Sequence, residues 1–256
     1  MGRFFFAGLT ALSLAAGAAS AQDLVIPDVR YPDLPRTAAS AEGFAPPGWR
    51  IEQRREGDIN GDGAADLALV LRATDPANRL VNESFGPNPF DTNPRILAVA
   101  FANRGAPGFR LAVQNQTLVP RPTMPIAEDP LSPDDSEFGL ENGTLTVGLY
   151  RFSSSGGWDA GSTTFKFRWR DNALRLIGYD YNNVHRASGC FTSISINYVT
   201  GRAKFTLGSI GDDEERVVWR RLPARTAPDI GAIGDGFEFD PQGYVSNFPL
   251  PCAGEE

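Results

Sequence analysis

The sequence predicts an all-β protein built from antiparallel sheets and hairpins. Over short runs the apolar residues recur at every second position, which is the period of a strand with one buried face. Turn-forming pairs such as Asp171-Asn172 separate these runs, as they do in β-hairpins. No window after residue 21 has the apolar stripe of a helix. The length of 256 residues suits one β-domain, or two small ones.

Three hairpins follow from this alternation. In one, Phe165, Phe167 and Trp169 precede the turn Asp171-Asn172 and the strand at 173–177. In another, Leu145, Val147 and Leu149 follow the turn Asn142-Gly143. In the third, the turn Thr200-Gly201 joins Ile194, Ile196 and Tyr198 to Ala203, Phe205 and Leu207. Residues 138–222 are therefore predicted to form an antiparallel β-region.

Proline-rich segments divide the rest of the chain. Residues 22–48 are expected to form an extended arm, either lying on the domain or loose in solvent. Residues 73–94 are predicted to be a loop. Residues 120–137 are a Pro-rich linker loop that separates either two halves of a sheet or two subdomains. Residues 223–256 form a C-terminal tail.

The N-terminus has the pattern of a secretory signal peptide. Arg3 precedes an apolar run over residues 4–16, and Ala19-Ser20-Ala21 precedes an expected cut before Gln22. Residues 1–21 would be removed, which predicts a periplasmic or extracellular protein. No later stretch approaches about 20 uninterrupted apolar residues, so no membrane span is expected. The net charge of −7 argues against general binding to nucleic acid.

The chain has two cysteines, Cys190 and Cys252. An even pair in an exported chain indicates a disulfide, because such bonds persist in oxidising compartments. This bridge would tie the C-terminal tail back to the β-region and stabilise the fold by roughly 4 kcal/mol through the entropy of the closed loop. The alternative is a thiol nucleophile or a metal ligand, although neither cysteine lies in a Cys-x-x-Cys or Cys/His cluster.

The motif with the clearest chemistry is the calcium-type loop that follows Gly57. Its oxygen ligands are predicted to be the side chains of Asp58, Asn60, Asp62 and Asp66 and the carbonyl of Ala64. Gly63 stands where the loop needs a sharp turn with positive φ. Ca²⁺ takes six to eight oxygens, so water or a neighbour would complete the shell.

This loop differs from an EF-hand in ways that suggest a structural role. Its twelfth position is Leu69 rather than a bidentate Glu, and its flanks, Trp49 to Arg55 and Leu67 to Leu71, have strand patterns. A cation here would staple a β-hairpin. The alternative is an Asp-rich hairpin turn that stays empty.

The strand, loop and strand of residues 49–115 resemble the FG-GAP or VCBS-type calcium repeat, and residues 96–105 and 108–113 resemble its next two strands. One copy is found, which implies a blade-like unit over residues 49–119 joined to a second β-region, not a full propeller. The motifs at 156–158, 164–169, 176–179 and 197–202 resemble a family of uncharacterised exported bacterial β-proteins that carry one such loop. That resemblance implies architecture and no catalytic residues.

An enzyme would have few groups to work with. His185 is the only histidine, and no Gly-x-Ser-x-Gly elbow accompanies it. A glycan-directed hydrolase using paired carboxylates is the alternative function. Its candidate acids are Asp134, Asp135, Glu137, Glu238 and Asp240.

The preferred interpretation is an exported calcium-binding β-protein with a structural or ligand-binding role at the cell envelope. A cell-envelope glycan or protein is the expected partner. The alternating basic residues Lys166, Arg168, Arg170 and Arg175 form either a solvated outer face or a patch for an anionic polymer. Trp158, in a Ser- and Gly-rich loop, either contacts a sugar or folds back onto the sheet.

Overall fold

The computed structural model describes residues 24–132, 134, 136–223 and 227–248. The strands of the first half are β1 (Thr37–Ala38), β2 (Trp49–Gly57), β3 (Asp66–Ala73), β4 (Arg79–Leu80), β5 (Phe90–Asp91), β6 (Arg95–Ala102) and β7 (Phe109–Asn115). Those of the second half are β8 (Glu137–Glu141), β9 (Thr144–Arg151), β10 (Asp159–Arg170), β11 (Ala173–His185), β12 (Cys190–Asn197), β13 (Arg202–Ser209) and β14 (Arg216–Arg221). Described helical structure consists of 3-10 turns at Ala41–Phe44, Pro76–Asn78, Ile230–Ala232 and Pro241–Gly243, and of helix α1 (Tyr244–Asn247). The predicted all-β, antiparallel fold class is confirmed.

The first sheet has five strands in the order β1-β7-β6-β3-β2. Strands β2, β3, β6 and β7 are consecutive neighbours, which makes a blade-like meander, and the described strands do not form a propeller. Both faces of β3 and β6 are buried, which explains their nearly continuous apolar sequences. Leu69 packs in the cluster on one face, whereas Val70 packs in the cluster on the other.

Residues 31–45 pack on one face of the first sheet and add β1 at its β7 edge. Leu34 and Phe44 are buried in the hydrophobic cluster on that face. Gln114 of β7 fixes the segment by accepting a hydrogen bond from Leu34 N at 2.9 Å and donating one to Pro32 O at 2.8 Å. The proline-rich segment is therefore ordered by contacts with β7.

The second sheet has seven strands in the order β14-β13-β12-β11-β10-β9-β8, each hydrogen-bonded to its neighbour in the chain. The predicted two-residue turns at Asn142-Gly143 and Asp171-Asn172 are present, whereas Thr200-Gly201 lies in a longer turn, residues 198–201, that also contains Tyr198. Asn142 and Gly143 have φ of 49° and 70°, and Asp171 and Asn172 have φ of 50° and 55°. Both pairs occupy the left-handed region that two-residue hairpin turns of type I′ require.

The main core lies between the two sheets. Val70 and Val99 of the first sheet and Phe165 and Phe167 of the second belong to one buried cluster. Residues 227–248 then cover more of the apolar face of the second sheet. The ring contacts that seat this segment are Phe239 with Phe165 and Tyr179, and Tyr244 and Phe248 with Phe205.

The connection between the sheets is itself packed, because Leu131 is buried in the main core. Cys190, the first residue of β12, is buried too. The predictions for the signal peptide, for Asp135 and for Cys252 concern residues outside the described part of the chain.

Candidate functional site

The calcium-type loop connects β2 to β3 at one end of the first sheet. Gly61 and Gly63 have φ of 79° and 85°, so the chain turns sharply at positions where other residues would be strained. Asp66, the last predicted ligand, is also the first residue of β3. The curl of the loop is thus set by two glycines, and its end is set by the sheet.

Asp58 organises the first half of the loop. Its Oδ1 accepts hydrogen bonds from Gly61 N at 2.7 Å and Asp62 N at 3.0 Å, and its Oδ2 accepts one from Gly63 N at 2.8 Å. Asn60 Oδ1 accepts another from Asp62 N at 2.9 Å. These bonds turn the side chains at positions one and three toward the inside of the loop.

Asp62 joins the loop to the connection after β6. Its Oδ1 accepts from Ala64 N at 2.9 Å, and this backbone bond lowers the pKa of Asp62. The exposed Arg104 approaches the other oxygen, Oδ2, at 3.2 Å. An exposed pair of this kind contributes little to stability.

Asp66 anchors the loop in the protein interior. Asp66 is 0% exposed. Burial raises the pKa of its carboxyl, whereas three backbone hydrogen bonds lower it. Oδ2 accepts from Ile59 N at 3.0 Å and Asn60 N at 3.2 Å, while Oδ1 accepts from Ala102 N at 2.9 Å. One carboxylate therefore connects the loop to the end of β6.

The donor set of the loop suits a hard divalent cation, since it contains only carboxylate, amide and backbone carbonyl oxygens. The three carboxylates are nevertheless engaged with backbone N–H groups. In the part of the chain that the structure describes, no three His, Cys, Asp or Glu side chains converge as a metal-binding group. The structure thus brings the predicted residues into one turn without gathering their carboxylates around one point.

A cleft of about 460 Å³ lies beside the loop and extends toward the second sheet. Its walls are the loop and the turn between β8 and β9, with Arg168 and Trp169 of β10 completing it. The backbone carbonyl of Asp58 lies so close to Gly143 that a Cβ there would stand 3.2 Å from it. The loop therefore sits where the two sheets meet.

His185 is hydrogen-bonded to a serine and not to a carboxylate among the described residues. Its Nδ1 lies 2.9 Å from Ser188 Oγ in the turn after β11. Asp159, its partner in strand register, instead accepts from Asn183 Nδ2 at 3.0 Å. Among the described residues, no carboxylate is hydrogen-bonded to the histidine ring.

The candidate acids are spread over separate elements. Glu137 lines a shallow depression of about 360 Å³ with Asp180, which is held by Lys166 at 2.9 Å and Ser195 at 2.6 Å. Glu238 is exposed in the C-terminal segment. The remaining described acids are Asp134, which is exposed, and Asp240, which accepts from Val245 N at 2.7 Å.

The basic stripe is largely engaged with its neighbours. Lys166 pairs with Asp180, Arg168 donates to Thr144 Oγ1 at 2.9 Å, and Arg175 lies 3.7 Å from Asp229. Arg170 is exposed at the end of β10.

Trp158 projects into solvent, with the guanidinium of Arg186 5.9 Å from its ring centroid. Arg186 also donates to the carbonyls of Ser153 and Gly157 in the same loop. These bonds hold the loop that carries the tryptophan.

A buried charge cluster at the other end of the first sheet was not predicted. Arg95 is inserted between Glu52 and Asp129, with Nη2 2.7 Å from Asp129 Oδ2 and Nε donating to Glu52. Arg72 also pairs with Glu52, at 3.0 Å. Although burial opposes it, hydrogen bonds and charge from Arg95 lower the pKa of Glu52. The one feature of the sequence that pointed to this cluster was an arginine at the start of the apolar strand β6.

The fold and the loop define the class as an all-β protein of two large antiparallel sheets and a two-stranded one, β4-β5, with an Asp-rich hairpin loop where the large sheets meet. None of the family models, curated proteins or solved structures compared with the chain matches it. No helix among the described residues has both the length and the apolar character needed to cross a membrane.

Proposed function

We propose that the protein is an exported β-protein that binds Ca²⁺ in the loop from Asp58 to Asp66 and has a structural or ligand-binding role at the cell envelope. Export rests on the signal-peptide pattern of residues 1–21. The main support for calcium binding is that a loop with only oxygen ligands lies where the two sheets meet. A cation at this point would brace one sheet against the other.

The side chains of Asp58, Asn60, Asp62 and Asp66 and the Ala64 carbonyl would hold the cation. Its positive charge would offset the repulsion among three carboxylates confined to one turn. Asp66 supports this role because its hydrogen bond to Ala102 N already links the loop to β6. Binding requires Asp58 and Asp62 to exchange part of their backbone hydrogen bonding for metal coordination.

Titration calorimetry of the purified protein with CaCl₂ and with MgCl₂ tests this proposal. We expect one calcium site with a dissociation constant of about 10⁻³ M or tighter, as in extracellular calcium modules, and weaker binding of Mg²⁺. Asp62→Asn should weaken calcium binding at least about tenfold, because it removes a charged ligand. Asp213→Asn, at an exposed acid outside the loop, is the charge-matched control. Equal calcium binding by the wild type and Asp62→Asn would contradict the proposal.

A further inference from the structure

A second concave surface lies at the β14 side of the second sheet, away from the calcium loop. It has a volume of about 430 Å³ and is formed by the turn between β12 and β13, the end of β14 and the C-terminal segment. Its lining includes Val199, Arg202, Arg221 and Gln242, and no acidic side chain, although the chain has 31 Asp and Glu residues.

Two arginines lie side by side in the lining of this pocket. Arg202 of β13 and Arg221 of β14 are direct partners in the strand register, and both are exposed. Like charges placed directly opposite each other on antiparallel strands are destabilising. Neither guanidinium forms an ion pair within the described residues. A bound anion would relieve this repulsion.

A neutral hydrogen-bonding group also lines the pocket, the exposed side-chain amide of Gln242. Burial raises the pKa of the neighbouring Tyr198 to about 12, against the opposing effect of the Gln242 side chain. The Tyr198 Oη has almost no accessible surface, so the Gln242 amide, and not this hydroxyl, is within reach of a ligand.

An exposed aromatic ring adjoins the pocket. Trp219 of β14 is 59% exposed, and the Arg202 guanidinium lies 6.0 Å from its ring centroid. Val199, on the turn, is equally exposed. A large aromatic face beside hydrogen-bond donors offers the C–H face of a sugar ring a surface to stack on, while the donors meet its hydroxyls.

We infer that this pocket binds an acidic saccharide through the carboxylate of a uronic acid unit. Arg202 and Arg221 would pair with the carboxylate, which matches the planar fork of a guanidinium. Gln242 would bond a ring hydroxyl, and Trp219 would stack against the ring. This inference deepens the ligand-binding part of the proposed function, but its residues are separate from the calcium loop.

Calorimetric titration with a galacturonic acid trisaccharide tests the inference, in buffer with 1 mM calcium. We expect a dissociation constant of about 1 mM or tighter. Arg202→Gln and Arg221→Gln should each weaken binding at least about tenfold, the effect of losing a charged hydrogen bond. Arg79→Gln is a charge-matched control, and Arg170→Gln tests the basic stripe instead. Absence of binding, or a loss in Arg170→Gln that equals the loss in Arg202→Gln, would overturn the inference.

Two further ligands separate the chemistry of recognition. The methyl ester of the same trisaccharide keeps the rings but lacks the charge, so it should bind at least about tenfold more weakly. Inorganic phosphate should compete poorly, because it lacks the ring that stacks on Trp219. Equal binding of the ester, or phosphate binding as tight as that of the saccharide, would refute an acidic-sugar site.

Trp219→Ala removes the exposed ring and keeps both arginines, so saccharide binding should weaken several-fold while the melting temperature changes little. A Trp219→Ala protein with unchanged affinity would contradict the stacking role given to this ring. Asp62→Asn should retain saccharide binding even though it weakens calcium binding, so failure of the calcium proposal is distinguishable from failure of this one.

Discussion

At the residue scale, the side chains that matter most are charged groups held inside the protein. Asp66 and Arg95 are each almost fully buried, and each is satisfied by partners from distant parts of the chain. The sequence singles out Asp66 as a calcium ligand, because its spacing from Asp58 follows a ligand pattern, but it does not predict that this carboxylate is buried. It did not predict Arg95, because Glu52 and Asp129 come together with it only through tertiary folding.

Arg95→Leu should destabilise the protein by about 3 kcal/mol, because it leaves Glu52 and Asp129 buried with one cation fewer. Arg50→Leu is the matched control. Arg50 lies 3.8 Å from the same Glu52 but its side chain is 54% exposed, so its loss should cost less than about 1 kcal/mol. Urea unfolding of both variants measures the difference. Equal destabilisation by the two substitutions would show that burial does not set the strength of these pairs.

At the scale of elements, the hairpins could be predicted and the long connections could not. The Asn142-Gly143 and Asp171-Asn172 turns and the flanking alternation are local signals, so the strands on either side follow from the sequence. The fold of residues 227–248 is not local. Phe239 and Tyr244 follow no strand or helix period, and they are placed by the apolar face of the second sheet that they cover.

Gly161→Ala should disrupt the pairing of β10 with β11. A Cβ at this position would lie 1.9 Å from the Asn182 carbonyl oxygen, so the backbone must move, at a cost of about 1–3 kcal/mol or more. Gly157→Ala is the control, since nothing lies within 4 Å of its added Cβ. Thermal unfolding followed by circular dichroism compares the two. Matching midpoints would mean that β10 and β11 are not packed this closely.

At the scale of the whole molecule, the loop from Asp58 to Asp66 lies where two sheets from different halves of the chain meet. The proposed calcium ligands stand out in the sequence because they occupy one short segment with a known spacing. Their neighbours Ala102, Arg104 and Gly143 could not, because they reach the loop from β6, from the connection after it and from the β8–β9 turn. The structural role proposed for calcium depends on these neighbours.

The most direct test of the calcium staple is the melting temperature of the protein in chelator and in calcium at about 100 times the dissociation constant that calorimetry measures. Calcium at 100 times its dissociation constant should add about 2.7 kcal/mol. For a chain of this size, that raises the melting temperature by about 5–10 °C. The increase should disappear in Asp62→Ala. A melting temperature that calcium leaves unchanged in the wild type, and that Asp62→Ala also leaves unchanged, would contradict a metal-braced junction between the sheets.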